Sequence, residues 1–241
     1  MSLPYDLRGQ TTQAIRVLKA FTEYTFEDEQ IAQEALKYAK GLVFMTQIKA
    51  GFIWSGSMAA GIVIARMPNG EWSAPSSLGS IGMGFGFQAG AQSVDIILAL
   101  YHDLAVDAFR GAGQLKLGGD FSVTAGPLGR TASLDARIGT TGVAGCFSYA
   151  RSHGLFAGVA LDGAVLVTRA GDNAAVYGRD VSVGEIFSGQ VEPFPEAAEL
   201  HALVKAFVDG SLPAAGSPAD RQAEVETQTD GTGASALEPD S

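Results

Sequence analysis

Residues 60–76 read AGIVIARMPNGEWSAPS, and this stretch carries the clearest local structural signal in the chain. Its first half is a short apolar run, which is typical of a buried strand. Pro68, Asn69 and Gly70 follow it and form a strong turn signal, because Asn and Gly tolerate positive φ. The sequence therefore predicts a β-hairpin that turns at these three residues.

Short apolar segments separated by glycine extend on both sides of this hairpin, and 31 of the 241 residues are glycine. A glycine inside an apolar run marks a bulge, a turn or a close backbone approach. Strands are predicted at 41–48, 51–55, 60–67, 114–117, 121–125, 134–138, 144–150, 155–161 and 164–169, with a short edge near Trp72; residues 89–100 fit a strand or a helix. Residues 41–66 and 145–169 resemble each other, so two copies of one β unit are a further expectation.

The glycine-rich tract at 79–86 raises the question of nucleotide binding, because Gly-x-Gly loops let backbone N–H groups approach phosphate. No Gly-Lys-Ser/Thr sequence ends the tract. We therefore predict a glycine-bent strand there.

The residues before Lys40 have a helical apolar period. In the segment 6–25, Leu7, Ala14, Ile15, Leu18 and Phe21 cluster on one face, and three bases lie on an adjacent face. Further helices are predicted at 27–38, 104–110, 183–187 and 196–207. The prediction is an α+β fold: a glycine-rich, mainly antiparallel sheet or partial barrel with two N-terminal helices and a C-terminal helix.

One domain is expected over residues 1–207, followed by a disordered acidic tail over 208–241. The tail holds seven acids and one base, so it carries −6 of the net charge of −10. Its few large aliphatic residues bury too little apolar surface to offset the entropy of ordering.

Several function classes find no support in the residues. The single cysteine, Cys146, lies in an apolar run and is predicted to be a buried, inert thiol. His102, His153 and His201 are predicted surface histidines. No nucleophile elbow or zinc-protease motif occurs, so no catalytic residue, metal site or cofactor is assigned and an enzyme is not expected. The acidic balance argues against nucleic-acid binding, and no apolar run is long enough to span a membrane.

Four blocks carry a family resemblance: residues 49–52 (KAGF), 64–76 (IARMPNGEWSAPS), 117–130 (LGGDFSVTAGPLGR) and 154–159 (GLFAGV). Their order and spacing resemble the SYLF domain, the Ysc84-like group, over about residues 3–207. The resemblance implies a non-enzymatic, cytoplasmic adaptor that associates peripherally with phosphoinositide membranes and has a link to actin. It implies nothing about the oligomeric state.

In relatives the N-terminal helix engages the phosphoinositide, so the resemblance assigns lipid binding to that helix. The implied lipid-binding residues are Arg8, Arg16, Lys19, Leu7, Ile15 and Leu18. Relatives carry lysines where this chain has a Gln-Thr-Thr-Gln run at 10–13. At about 1 kcal/mol for each base near an anionic surface, three bases give weak, salt-sensitive binding.

Other interpretations stay open at this point. The apolar face of the first helix either packs on the β core, inserts into lipid, or alternates between the two. An actin-filament-binding adaptor without direct lipid binding is the main alternative, although actin is itself acidic and a partner normally presents basic residues. A small-ligand carrier or an enzyme built on the glycine-rich sheet is the third.

Overall fold

A computed structural model describes residues 6–21, 33, 36–110, 115–117, 121–125 and 144–211. Within these ranges only the backbone is described for residues 21, 52–55, 83–90, 92, 115–117, 121–125 and 144–165. The predicted strand at 134–138, most of the predicted helix at 27–38 and the tail beyond Ser211 lie outside the described residues. Residues 36–38 are helical, as predicted.

Five helices and five strands are described. The helices are α1 (Leu7–Phe21), α2 (Asp103–Arg110), α3 (Ala170–Tyr177), α4 (Val183–Phe187) and α5 (Pro195–Val208). The strands are β1 (Gly41–Ala65), β2 (Ser76–Leu100), β3 (Leu115–Leu117), β4 (Phe121–Ala125) and β5 (Ala144–Thr168). The predicted α+β fold is confirmed.

The sheet has the strand order β1-β2-β5-β3-β4 and does not close into a barrel. The strand β2 lies between β1 and β5 and is antiparallel to both, whereas the short strand β4 is parallel to β5. The predicted hairpin joins β1 to β2: Arg66 and Trp72 form a β-bridge, and Gly70 adopts a φ of 86° in the turn. The two similar sequence segments become β1 and β5, the strands that flank β2.

The strand β1 curls until its ends meet. A straight strand of 25 residues would extend about 80 Å at about 3.3 Å per residue. Instead, the N–H of Arg66, just after the strand, donates to the carbonyl of Lys40, just before it, at 2.7 Å. Gly61 permits this closeness: a Cβ there would overlap the carbonyl oxygen of Phe44 and lie 2.6 Å from the Cβ of Met45.

Helices cover both faces of the sheet where the ends of β1 converge. On one face, α1 and α5 pack with Leu42, Phe44, Ile62 and Ile64, which come from opposite ends of β1. On the other face, α2 and α4 pack with alternate residues of the same strand, such as Val43 and Val63. Alternation along a strand sends neighbours to opposite faces, so one strand supplies both cores.

Two details differ from the sequence predictions and one agrees with them. The segments predicted as separate strands before Arg66 and after residue 143 are each one continuous strand, because pairing to β2 persists through their glycines. The tract at 79–86 is a strand, as predicted, and residues 89–100 continue it. The helix α3 was not predicted, since Gly171, Asp172 and Asn173 are weak helix formers.

Candidate functional site

Helix α1 starts at a capped end and lies in the core. The carboxylate of Asp6 accepts a hydrogen bond from the N–H of Gly9 at 2.6 Å, which satisfies one of the free donors of the first turn. Leu7, Ile15 and Leu18 are between 0 and 5% exposed and belong to the core cluster that contains α5 and β1. The structure therefore places the three apolar residues of the predicted lipid site inside the protein.

Gln10 anchors α1 to the sheet through a buried polar cluster. In the orientation that satisfies both ends of its amide, its nitrogen donates to the carbonyl of Gly61 at 2.8 Å and to Ser77 Oγ at 2.7 Å. Its oxygen accepts from Arg169 Nη1 at 3.1 Å. Arg169 also pairs with Asp172 at 3.0 Å. A buried amide with complete partners fixes the position of the helix.

A second polar contact fixes the helix one turn further on. Gln13 donates to Thr46 Oγ1 at 3.2 Å, and Thr46 donates to the buried carboxylate of Asp95 at 2.6 Å. Thr11, which belongs to the same run, is fully buried and donates to the carbonyl of Leu7. Three of the four residues at 10–13 therefore point toward the protein.

The three bases of the predicted site remain on the outer side of α1. Arg8 pairs with Glu196 of α5 at 2.8 Å and lies over the ring of Phe194, with 5.0 Å to its centroid. Lys19 pairs with Glu199 of α5 at 3.3 Å. The side chains of Arg8 and Lys19 are still 49% and 59% exposed, and Arg16 is exposed. The structure brings all three bases to one accessible surface, where α5 partly neutralises two of them.

A groove of about 890 Å³ lies between the turn after β1 and helix α5. Arg66 and Trp72 form one wall, with the guanidinium 4.5 Å from the ring centroid, and His201 and Lys205 of α5 lie opposite. Arg66 also donates to the carbonyls of Ala39 and Leu36 and so caps the helical residues before β1. No sequence motif indicates this groove, because its walls come from residues more than 100 positions apart.

His201 corrects the prediction of three surface histidines. Its Nε2 is buried and has no hydrogen-bond partner among the described residues. Burial lowers the pKa of His201, and a hydrogen bond to the Ser73 backbone and the nearby Glu71 carboxylate oppose that shift. His102 is exposed, as predicted, whereas the side chains of His153 and Cys146 are outside the described set.

His201 gives the folded state a pH dependence. Because its pKa is lowered on folding, the unfolded chain takes up the proton first as pH falls below about 6.5. Its contribution to stability is therefore complete above that pH and declines below it. We expect the thermal midpoint to fall more between pH 8 and pH 5 in the wild type than in His201→Gln, as measured by circular dichroism. Equal declines would contradict a neutral His201 whose Nε2 is buried.

Two further findings concern only the parts of the chain that the structure describes. No helix there is both long and apolar enough to cross a bilayer. No group of three or more His, Cys, Asp or Glu residues there has the arrangement that a metal ion needs. The acids Asp103 and Asp107 lie on the exposed face of α2.

Comparison with known proteins places these features in a family. A family model named Ysc84 and described as "Las17-binding protein actin regulator" matches residues 81–207, just over half of the chain. That range holds nearly all of β2 and ends within α5. The match thus covers most of β2, the strand that pairs with both β1 and β5. It also covers the part of α5 whose Glu196 and Glu199 pair with Arg8 and Lys19.

Individual relatives match over a longer range. The SH3 domain-containing YSC84-like protein 1 of Rattus norvegicus is 38% identical over 210 residues, which is 86% of this chain and 61% of that protein. An SH3 domain-containing protein of Schizosaccharomyces pombe is 40% identical, over 82% of this chain and 46% of its own length. LAS seventeen-binding protein 3 of Saccharomyces cerevisiae is 37% identical, over 84% and 45%. The chain thus spans about half to three fifths of these relatives, and it belongs to the Ysc84 (SYLF) family.

Proposed function

We propose that this protein is a non-enzymatic adaptor of the actin cytoskeleton that binds phosphoinositide membranes peripherally. The family description and the name of the budding-yeast relative support the actin role. The observation that carries the membrane role is the outer surface of α1, where Arg8, Arg16 and Lys19 are accessible together while the helix stays docked. Clustered bases next to an anionic surface attract its headgroups.

Docked binding is favoured over insertion on energetic grounds. Exposing Leu7, Ile15 and Leu18 would cost about 5–9 kcal/mol at about 1.5–3 kcal/mol for each side chain, which approaches the total stability of a domain. Insertion of these three residues into lipid stays a prediction. It requires that their contacts with lipid offset the free energy lost when they leave the protein core. Headgroup binding by the three bases requires only that Glu196 and Glu199 release Arg8 and Lys19, and exposed ion pairs are worth at most about 1 kcal/mol.

Vesicle sedimentation tests the membrane role. We expect the wild type to bind vesicles that contain phosphoinositide more tightly than neutral vesicles, with affinity that falls as salt rises. Replacing Arg8, Arg16 and Lys19 with Gln should weaken binding by at least about tenfold, at about 1 kcal/mol for each base less the loss to their acidic partners.

The matched control replaces three exposed bases elsewhere, Lys37, Lys40 and Arg110, with Gln, which changes the net charge equally. Equal weakening in the two triple variants would mean that net charge, not α1, governs binding. Equal wild-type binding to neutral vesicles would overturn the headgroup proposal.

An actin adaptor without lipid binding is the second candidate. It is favoured by the burial of the apolar face of α1 and by the ion pairs that occupy Arg8 and Lys19. Co-sedimentation with actin filaments separates the two candidates: filament binding without vesicle binding would support this one. If the chain does not bind filaments, it has no direct actin-binding activity. Its actin role would then depend on other proteins.

A further inference from the structure

Away from the helices, the central part of the sheet differs sharply between its two faces. On β2, the odd positions from 81 to 91 are Ile, Met, Phe, Phe, Ala and Ala, whereas the even positions from 82 to 92 are Gly, Gly, Gly, Gln, Gly and Gln. Successive strand residues belong to opposite faces. One row of this strand is thus apolar, and the opposite row holds only glycine and glutamine.

The described residues show which face is open. Ile81 is 70% exposed and Ala91 is exposed, so the odd positions are open at both ends of the row. The two even positions that flank Ile81, Ser80 and Gly82, are buried. Met58 pairs directly with Ile81 across β1 and β2 and is 57% exposed.

The neighbouring strands continue the same pattern in register. We call the following set the apolar face: Ile81, Met83, Phe85 and Phe87 of β2, Trp54 and Met58 of β1, and Val159, Leu161 and Val165 of β5. The central segments also lack charge: no Asp, Glu, Lys, Arg or His occurs between Lys49 and Arg66, between Glu71 and Asp95, or between His153 and Asp162.

We propose that the apolar face inserts at the interface of a lipid bilayer and supplies the hydrophobic part of membrane binding. This inference rests on the proposed membrane role. Leu7, Ile15 and Leu18 of α1 are buried, so the outer bases of the helix provide only electrostatic attraction. Stable peripheral anchoring usually needs a second signal. The exposed Ile81 and Met58 lie beside positions held by Trp and Phe, and Trp and Phe are among the residues with which peripheral elements enter the membrane interface.

The size of the apolar face favours a bilayer over a second copy of the chain. Eleven positions along β2 and three strands across give about 500 Å², at about 3.3 Å and 4.8 Å spacing. That area is similar to the largest apolar patch of a typical monomer, which often has a function, and it is smaller than the roughly 800 Å² that a stable dimer buries on each partner. A protein partner is disfavoured because protein interfaces surround their apolar core with a polar rim, whereas the central segments of all three strands carry no charge.

Vesicle binding by Met58→Gln/Ile81→Gln in the full chain tests the inference. We expect its partition onto phosphoinositide vesicles to be at least about tenfold lower than that of the wild type, since two large apolar side chains no longer enter the lipid. Leu104→Gln is the matched control, because Leu104 is 69% exposed but lies on α2. It should bind as the wild type does, and thermal unfolding should show that both variants fold.

Lipids brominated on the acyl chains provide an independent readout. The chain has two tryptophans, and Trp72 is only 9% exposed, so quenching should act on Trp54 and disappear in Trp54→Phe. If the wild type binds these vesicles but the double variant binds equally well and no quenching occurs, the inference is wrong and the proposed function stands.

The remaining outcomes distinguish insertion of the apolar face from headgroup binding by α1. Quenching that is equal on neutral vesicles supports the apolar face and overturns the headgroup proposal, whereas absence of all vesicle binding overturns both. A wild-type dimer in solution that the double variant converts to a monomer would assign the apolar face to a second copy and overturn the inference.

Discussion

Gly61→Ala is expected to destabilise the protein by about 3 kcal/mol or more, because the added Cβ would collide with backbone rather than with a movable side chain. It would overlap the carbonyl oxygen of Phe44 and lie 2.7 Å from the Cα of Met45, at the place where the curled β1 approaches itself. Relief requires the two ends of β1 to separate, which would open the core on both faces of the sheet. Denaturant unfolding monitored by circular dichroism measures the loss.

Gly56→Ala is the matched control for that substitution. It lies five residues earlier on the same strand and has nothing within 4 Å of an added Cβ. We expect its free energy of unfolding to stay within about 0.5 kcal/mol of the wild-type value. If Gly61→Ala were equally well tolerated, the ends of β1 would not be in contact.

Leu18→Ala should lower the free energy of unfolding by about 2–5 kcal/mol, since Leu18 of α1 is fully buried in the core cluster that includes α5. The matched control is Arg16→Ala, an exposed change on the same helix, which should alter stability by less than about 0.5 kcal/mol. Chemical denaturation of the two variants provides the comparison.

The same experiment bears on the lipid site. If Leu18→Ala left stability unchanged, α1 would not be docked in solution, and its apolar residues would be free to insert into lipid. A loss within the expected range would mean that lipid binding by α1 relies on its outer bases or requires undocking.

Local chemistry explains which elements were predictable. The turn at Pro68–Asn69–Gly70 forms as predicted because its residues prefer the required backbone angles wherever they occur. The helical spacing of apolar residues is sufficient to predict helices α1 and α5. In contrast, α3 contains Gly171, Asp172 and Asn173, and it is held by tertiary bonds: Asn173 accepts from the N–H of Ser77 at 2.8 Å and donates to Ser76.

The sequence predicted the bases of the candidate site but not their partners. Periodicity placed Arg8, Arg16 and Lys19 together on one side of α1, and they do share its outer side. The partners Glu196 and Glu199 lie about 180 positions away, so no local pattern indicates them. His201 was predicted to lie on the surface although Leu200 and Ala202 beside it are apolar. The packing of α5 against the turn after β1 buries its Nε2.

The sequence by itself determined the family, the hairpin turn, every described helix except α3, and the alternation along β2 of an apolar row with a row of glycine and glutamine. These follow from preferences that act over a few residues. The tertiary structure alone decided that β1 curls until Lys40 meets Arg66, that α1 turns its apolar side inward, and that Ile81 and Met58 stay exposed. These depend on which distant segments pack together, because a periodic pattern defines a face without specifying what covers it.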